Sequence, residues 1–270
     1  MDNLQKEDND SVLDNWKLLQ TKCEDLNIEK FNFSGGEATT SAHLTAFFAD
    51  CLDRTIPYSL FSNGIVLDPH IIDMCNEYYI SVDGIGKIHD SVRNFNGAYE
   101  KTYTSLSILK NQRKSVHIQT TINKINVNSL DPLIDMYFEF APILKSISLV
   151  GVINQGNALL NEIALSNADL LKIKQFKEKV LDAVHYHVFV KDNLYTIAQL
   201  KEFVLSPKST FPIWVDLVSG DAYVMNENFK TSISNLSHIW ILEQYNLIRD
   251  SISKAIVHID DGLFIAEELL

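Results

Sequence analysis

Cysteine is scarce and poorly placed for metal or disulfide chemistry. Cys23, Cys51 and Cys75 are the only three in 270 residues, and no CxxC pair occurs. An odd number at such spacing suggests neither a disulfide framework nor a zinc motif. Each falls within a helical pattern, where a reduced thiol packs as a small hydrophobe. Basic residues are also in short supply. Twenty-three Lys and Arg against 35 Asp and Glu give a formal charge of −12, and no basic stripe interrupts the acidic excess. Both facts argue against a nucleic-acid partner, whose phosphates need clustered Lys and Arg, and disfavour an anionic membrane surface. The first eight residues have no basic segment leading into an apolar core, so they do not read as a signal peptide. No apolar run approaches the roughly 20 residues that span a bilayer. A cytoplasmic protein is therefore expected. G-x-S-x-G, H-E-x-x-H and P-loop signatures are missing too, which leaves an ordinary barrel hydrolase without support.

What is there is a rhythm. Val12, Trp16, Leu19, Cys23 and Leu26 recur at helical steps. A strand is expected over 29–34, then a helix from Thr40 that buries Leu44, Phe47, Phe48, Cys51 and Leu52. Further strands are read at 58–61, 79–83, 115–122 and 146–150. Helices are read from Asp68-Pro69 (Asp as N-cap, Pro at the first helical position) and over 99–110, 132–140 and 168–184. Strands alternating with helices of this length imply βαβ units and a parallel sheet. Past His185 the rhythm changes. Ser219-Gly220-Asp221 lies between two apolar runs and predicts a hairpin over 214–225. A helix over 238–254 and a second hairpin near Asp261-Gly262 complete the reading. The expected domains are a barrel-like unit over 1–191 and a small α+β appendage over 192–270.

The strands also alternate in polarity. Phe31 and Phe33 oppose Asn32 and Ser34, and Ile80 and Val82 oppose Ser81 and Asp83. Val116, Ile118 and Ile122 oppose His117, Gln119 and Thr121, and Ile147 and Leu149 oppose Ser146 and Ser148. A parallel sheet covered on both faces reads as unbroken apolar runs. Here one face packs on helices and the other is polar, as in a curved sheet with a wet lumen; a sheet with one exposed face is the alternative.

Strand ends carry a series of small and charged residues. Ser34-Gly35-Gly36-Glu37 ends the first strand, where glycines allow close backbone approach and a carboxylate can take an ammonium group, although a plain turn also explains them. Ser62-Asn63-Gly64 ends the second strand and Ser81-Val82-Asp83-Gly84 the third, followed by His89-Asp90 and Arg93. The fourth runs through Thr120-Thr121-Ile122-Asn123 to Asn126.

This ordered series resembles the radical S-adenosylmethionine (radical SAM) family, especially its peptide-modifying branch, over roughly residues 12–184. The resemblance implies an α/β fold, a partial (β/α)6 barrel with the cofactor across its open top. It implies that Gly35, Gly36 and Glu37 hold the amino group of S-adenosylmethionine, with Asn63 at the neighbouring strand end. It gives Ser81 and Arg93 to the carboxylate and puts Asp83 near the ribose or bracing the turn that follows. Asp90 is read as a helix cap or a partner for Arg93. Gly151 and Gly156 could admit the adenine or belong to a simple loop.

The family's first strand ends in CxxxCxxC, three thiolates for a 4Fe–4S cluster. No such motif exists here, and no metal-ligating set is expected. Ala38 also stands where the family usually has Pro. The hairpin over 211–226 resembles the start of a SPASM or twitch extension, without its cysteines. Two readings stand: a radical SAM core shortened at its N-terminus, or a cluster-free pseudoenzyme that binds a peptide or a partner. Catalytic residues and substrate stay undefined. A partner chain supplying the strand before Phe31 to Phe33 is expected under the first reading.

Overall fold

The computed structural model describes residues 9–22, 30–152, 163, 165–184, 188–192, 194–196, 214–215, 217, 221–224, 231–235 and 263–265. Contacts divide the chain into two compact units, 29–194 and 1–28 together with 195–270.

The larger unit is built on a parallel sheet whose strands lie in chain order: β1 (Phe31–Phe33), β2 (Tyr58–Ser62), β3 (Glu77–Ser81), β4 (Ser115–Ile122), β5 (Leu144–Gly151) and β6 (Phe189–Asp192). Every neighbouring pair is parallel, so each return needs a crossover. With α1 (Asn9–Lys22) assigned to the other unit, the crossovers are α2 (Leu44–Asp53), α3 (Pro69–Met74), α4 (Lys87–Arg93) and α5 (Ala98–Asn111), then α6 (Leu133–Phe140) and α7 (Asn167–Ala183). The sheet is open, with β1 and β6 at its ends. This is the α/β architecture expected of a partial barrel.

The sequence reading is close on element type and misses on detail. The helix expected from Thr40 starts at Leu44, after a 3-10 turn over Ala38–Thr40. It buries Leu44, Phe47, Phe48 and Cys51, but Leu52 is 51% exposed, because the i, i+3, i+4, i+7 stripe already fills the inward face. The third strand ends at Ser81 rather than Asp83. Helix α4 and strand β6 were not anticipated. Asp68 caps α3 as expected, its side chain accepting from the His70 N–H.

In β4 the two faces differ as the alternation predicts; in β5 the polar Ser146 and Ser148 are buried as well. In β4, Val116, Ile118 and Ile122 are fully buried against the helices, while His117, Gln119 and Thr121 on the other face are half-buried. In β5, Ile147 and Leu149 are fully buried. Each such aliphatic side chain contributes about 1.5–3 kcal/mol of hydrophobic stabilisation. That anchors one face and leaves the other to chemistry.

In the smaller unit α1 buries Val12, Trp16 and Leu19, and Asn15 Nδ2 donates to the Leu217 carbonyl at 3.0 Å. The expected hairpin is present, Trp214–Val215 pairing antiparallel with Asp221–Val224, and Thr231–Asn235 adds a third antiparallel strand that was not anticipated. The helix expected over 238–254, the turn at Asp261-Gly262, Cys23 and Gly156 lie outside the described residues. Among the described residues no helix is long and apolar enough to cross a membrane.

Candidate functional site

All four motif segments come to the same edge of the sheet, the C-terminal ends of β1 to β4. In an open α/β sheet this is where ligands bind. The segments form two networks of different character.

The first joins β1 to β2. Glu37 caps the 3-10 turn, its Oε1 accepting from the Thr39 hydroxyl at 2.8 Å. Its Oε2 accepts from the Asn63 backbone N–H at 2.8 Å. One carboxylate therefore ties two strand ends and stays half-buried, within reach of solvent. Gly35 has φ +149, and neither Gly35 nor Gly36 would bring an added Cβ within 4 Å of any other group. Both glycines are exposed. The backbone here faces open space on a rigid support.

That support is well fixed. Asn63 Oδ1 accepts from the Ile65 N–H at 2.8 Å, an Asx turn. Its carbonyl accepts from Thr102 on α5 at 2.8 Å. Gly64 has φ +71, and a Cβ there would stand 3.0 Å from Thr102 Cγ2, so both backbone conformation and space require glycine.

The second network joins β3 to β4 and is closed. Asp83 is fully buried. Its Oδ1 accepts from the Thr121 N–H at 2.8 Å, and its Oδ2 lies 2.6 Å from Arg93 Nε. Burial pushes the Asp83 carboxyl up, while Arg93 and the Thr121 N–H pull it back. The Asp83 carbonyl accepts from Asn126 Nδ2, and its N–H donates to His89 Nδ1 at 3.0 Å. His89 is buried and its pKa is pushed down to about 4, by burial first and the Arg93 charge second. It is neutral at pH 7, with its proton on Nε2 because Nδ1 accepts. Gly84 fits only as glycine, since a Cβ would meet Ile88 Cγ2 at 2.6 Å. Three donors, Arg93 Nε, Arg93 Nη2 and His89 Nε2, and the acceptor Asp83 Oδ2 are buried without a hydrogen bond among the described residues. Arg93 Nε and Asp83 Oδ2 meet only as an ion pair.

Asp90 takes one of its two expected roles. Its carboxylate accepts from the Tyr99 N–H at 2.9 Å and the Gly97 N–H at 2.8 Å, capping α5. Those bonds hold its pKa below the usual carboxylate range. The partner of Arg93 is Asp83, a pairing that proximity in sequence did not reveal. Ser81 ends β3 on the polar face opposite Gln119, and Gly151 ends β5.

The polar face also holds residues the motifs did not flag. Phe61, Tyr79 and His117 stand side by side on β2, β3 and β4, each ring 4.2 Å from the next and nearly parallel, at 5° and 7°. His117 Nε2 lies 3.1 Å from Glu77 Oε1, and its Nδ1 lies 2.8 Å from Ser146 Oγ. Lys30 pairs with Glu77 and stands over the Tyr79 ring. The signal was available as aromatics at matching parity, but only the register shows that they stack.

The residues present do not fit a 4Fe–4S cluster. Cys51 is buried on α2, and Cys75 is buried with its thiol donating to the Glu77 carbonyl. Among the described residues no group of three His, Cys, Asp or Glu could hold a metal ion.

No protein-family model matches the chain. A 112-residue segment is 27% identical to Fe-coproporphyrin III synthase of Methanosarcina barkeri, and a 116-residue segment is 25% identical to the AdoMet-dependent heme synthase of the same organism. These segments are 40% and 41% of this chain but only 28% and 33% of those relatives' length. Among solved structures, Streptococcus suis SuiB bound to S-adenosylmethionine superposes with a TM-score of 0.66 at 11% identity, covering 90% of this chain and 60% of SuiB. SuiB has also been solved bound to its precursor peptide SuiA. Native anSMEcpe with bound AdoMet gives a TM-score of 0.62 at 15% identity, covering 91% of this chain and 74% of that one. The shared fold is that of a radical-SAM-type core, and these relatives support the resemblance drawn from the strand-end motifs.

Proposed function

We propose that the strand-end rim binds S-adenosylmethionine as part of a radical SAM core that modifies a peptide or protein in the cytoplasm. The observation that carries this reading is the open backbone of Gly35 and Gly36 beside the half-buried Glu37 carboxylate. Those three residues suit the cofactor's amino group, with Asn63 fixing the carboxylate that receives it. Ser81 and Arg93, whose side chain is about a quarter exposed, take the cofactor's carboxylate. Asp83, entirely inside, orients Arg93 rather than touching ligand. S-adenosylmethionine supplies radical chemistry only when an electron reaches it from a cluster, and that cluster's thiolates must come from outside these 270 residues. The barrel-like part ends near Lys191, and residues 192–270 form a cysteine-free appendage of SPASM or twitch type.

Calorimetric titration of S-adenosylmethionine into the 270-residue chain tests the reading. Weak saturable binding is expected. Ser81→Ala should reduce affinity about tenfold, the effect of one hydrogen bond to a charged group, and Glu37→Ala should abolish binding. Equal affinity in wild type and both variants refutes the assignment.

A cluster-free binding module is the second reading, favoured by the absence of CxxxCxxC from the sequence. The two separate on one assay. With an added iron–sulfur partner segment and a reductant, the first reading expects 5′-deoxyadenosine and the second expects none.

A further inference from the structure

We infer that helix α5 is a strut that sets the Glu37 and Arg93 sites at one spacing, with Thr102, Ser105 and Asp90 as its positioning residues. This deepens the S-adenosylmethionine reading above and rests on it.

The need comes from the ligand. The amino group and the carboxylate assigned to Glu37 and Arg93 sit on one carbon. The two receiving groups must therefore keep one separation to take both charges at once, and holding them there beforehand spares the cost of ordering them on binding. The sheet does not reach them. Pairing of β1 with β2 ends at Phe33↔Leu60, and that of β2 with β3 at Ser62↔Ile80. Glu37 and Asn63 lie beyond those pairs, and Arg93 is the last residue of α4, outside the sheet.

Helix α5 grips both sides. Thr102 and Ser105 lie three residues apart, on one face of the helix, and both are buried. Their hydroxyls donate to consecutive carbonyls past the end of β2, Thr102 to Asn63 at 2.8 Å and Ser105 to Gly64 at 2.7 Å. The Asn63 N–H in turn holds Glu37 Oε2. Two other hydroxyls of the same helix behave differently. Thr104 and Ser107 bond back to the carbonyls four residues before them, Glu100 and Tyr103, the usual local outlet for such side chains in a helix. The N-terminus of α5 is held by Asp90, whose carboxylate accepts from the Gly97 and Tyr99 N–H groups. Asp90 belongs to the same short helix as Arg93. A chain of bonds thus runs from Glu37 through Asn63 and Thr102 along α5 to Asp90 and the helix of Arg93. The fit at its centre is close, since a Cβ on Gly64 would stand 3.0 Å from Thr102 Cγ2. Loosening either grip misplaces both charge receivers and spares the adenosine part of the ligand.

The test uses the full chain with S-adenosylmethionine and with 5′-methylthioadenosine, which keeps the adenosine and the sulfur and lacks both charges of the amino acid. Thr102→Val, which keeps the shape and removes the donor, should weaken S-adenosylmethionine about tenfold, the effect of one hydrogen bond. Thr102→Ser should restore it. Asp90→Asn, which keeps one acceptor of two, should cost a similar factor. The double variant should lose little more than either alone, because changes within one bonded network are not additive. Affinity for 5′-methylthioadenosine should hold in all of them. Thr104→Val, the same exchange on the exposed side of α5, is the control and should change neither ligand. Amide hydrogen exchange without ligand reads the strut independently. In Thr102→Val it should quicken about tenfold at Asn63, and also at Gly97, where a purely local loss would not be felt. Undiminished S-adenosylmethionine affinity in Thr102→Val, or an equal loss for 5′-methylthioadenosine, overturns the proposal. So does a loss of about a hundredfold in the double variant, the additive value, or faster exchange confined to Asn63. Absence of S-adenosylmethionine binding by wild type, with exchange at Gly97 still answering to Thr102, would instead sink the cofactor reading alone.

Discussion

The two halves of the rim use the same ingredients, a carboxylate and small residues at strand ends, to opposite effect. At β1 and β2, Glu37 holds two backbone N–H groups and one hydroxyl, stays half-buried and borders two exposed glycines. At β3 and β4, Asp83 is fully buried and closed in by Arg93, Thr121, Asn126 and His89. A strand-end motif therefore does not by itself mark a ligand contact. What separates a contact from a brace is whether water can still reach the polar atoms once the strands have paired.

The largest effect should come from breaking the closed half. Arg93→Met leaves the Asp83 carboxylate buried without its ion-pair partner, and removing one partner of a buried pair costs about 3–5 kcal/mol. A melting temperature lower by about 10 °C would follow, read by circular dichroism. An unchanged melt would mean that the Asp83 network is not a brace.

Acid should find the same weak point. The folded pKa of His89, about 4, lies below its ordinary value of 6.5. The unfolded chain therefore takes up the proton first, and the contribution of His89 to stability, complete above pH 6.5, is lost as pH falls towards 4. The total is on the order of 3 kcal/mol. Urea melts at pH 7, 5.5 and 4.5 should show the decline. His89→Asn, whose side-chain oxygen can still accept the Asp83 N–H, should flatten it. A wild-type profile that is flat over this range would remove His89 from the network.

In the open half the penalties shrink. Glu37→Gln keeps an acceptor for the Asn63 N–H and loses the charge, so a cost of about 1 kcal/mol is expected in urea melts. A loss as large as that of Arg93→Met would make Glu37 a brace of the same kind and erase the contrast.

Much of this was legible because it is local. Alternation in β4 and β5 announced which face is apolar, and Asp68-Pro69 announced the start of α3. Of the two roles offered for Asp90, a cap or a partner for Arg93, it takes the cap, whose Gly97 and Tyr99 N–H groups lie close by in sequence. The misses have physical causes. Helix α4 has seven residues and ends at Asn94 with φ +50, too short for a periodic stripe. Strand β6 has four residues, and exposed Phe189 blurs its pattern. The Asp83 bond to the Thr121 N–H crosses 38 positions. Likewise, the ring ladder exists only once Phe61, Tyr79 and His117 are set in register. Long-range pairing decided the roles of residues whose positions the motifs already marked.

The most direct test is Gly36→Val. Gly36 lacks the positive φ that would strain a side chain, and an added Cβ meets nothing within 4 Å. Folding should therefore tolerate valine, with melting temperature within about 2 °C of wild type, the usual range for a surface change. The isopropyl group would, however, occupy the space assigned to the cofactor. The expected calorimetric result is at least a tenfold loss of S-adenosylmethionine affinity from a chain that melts normally. Undiminished affinity in Gly36→Val would contradict the account, because the open glycine edge would then not be where the cofactor sits.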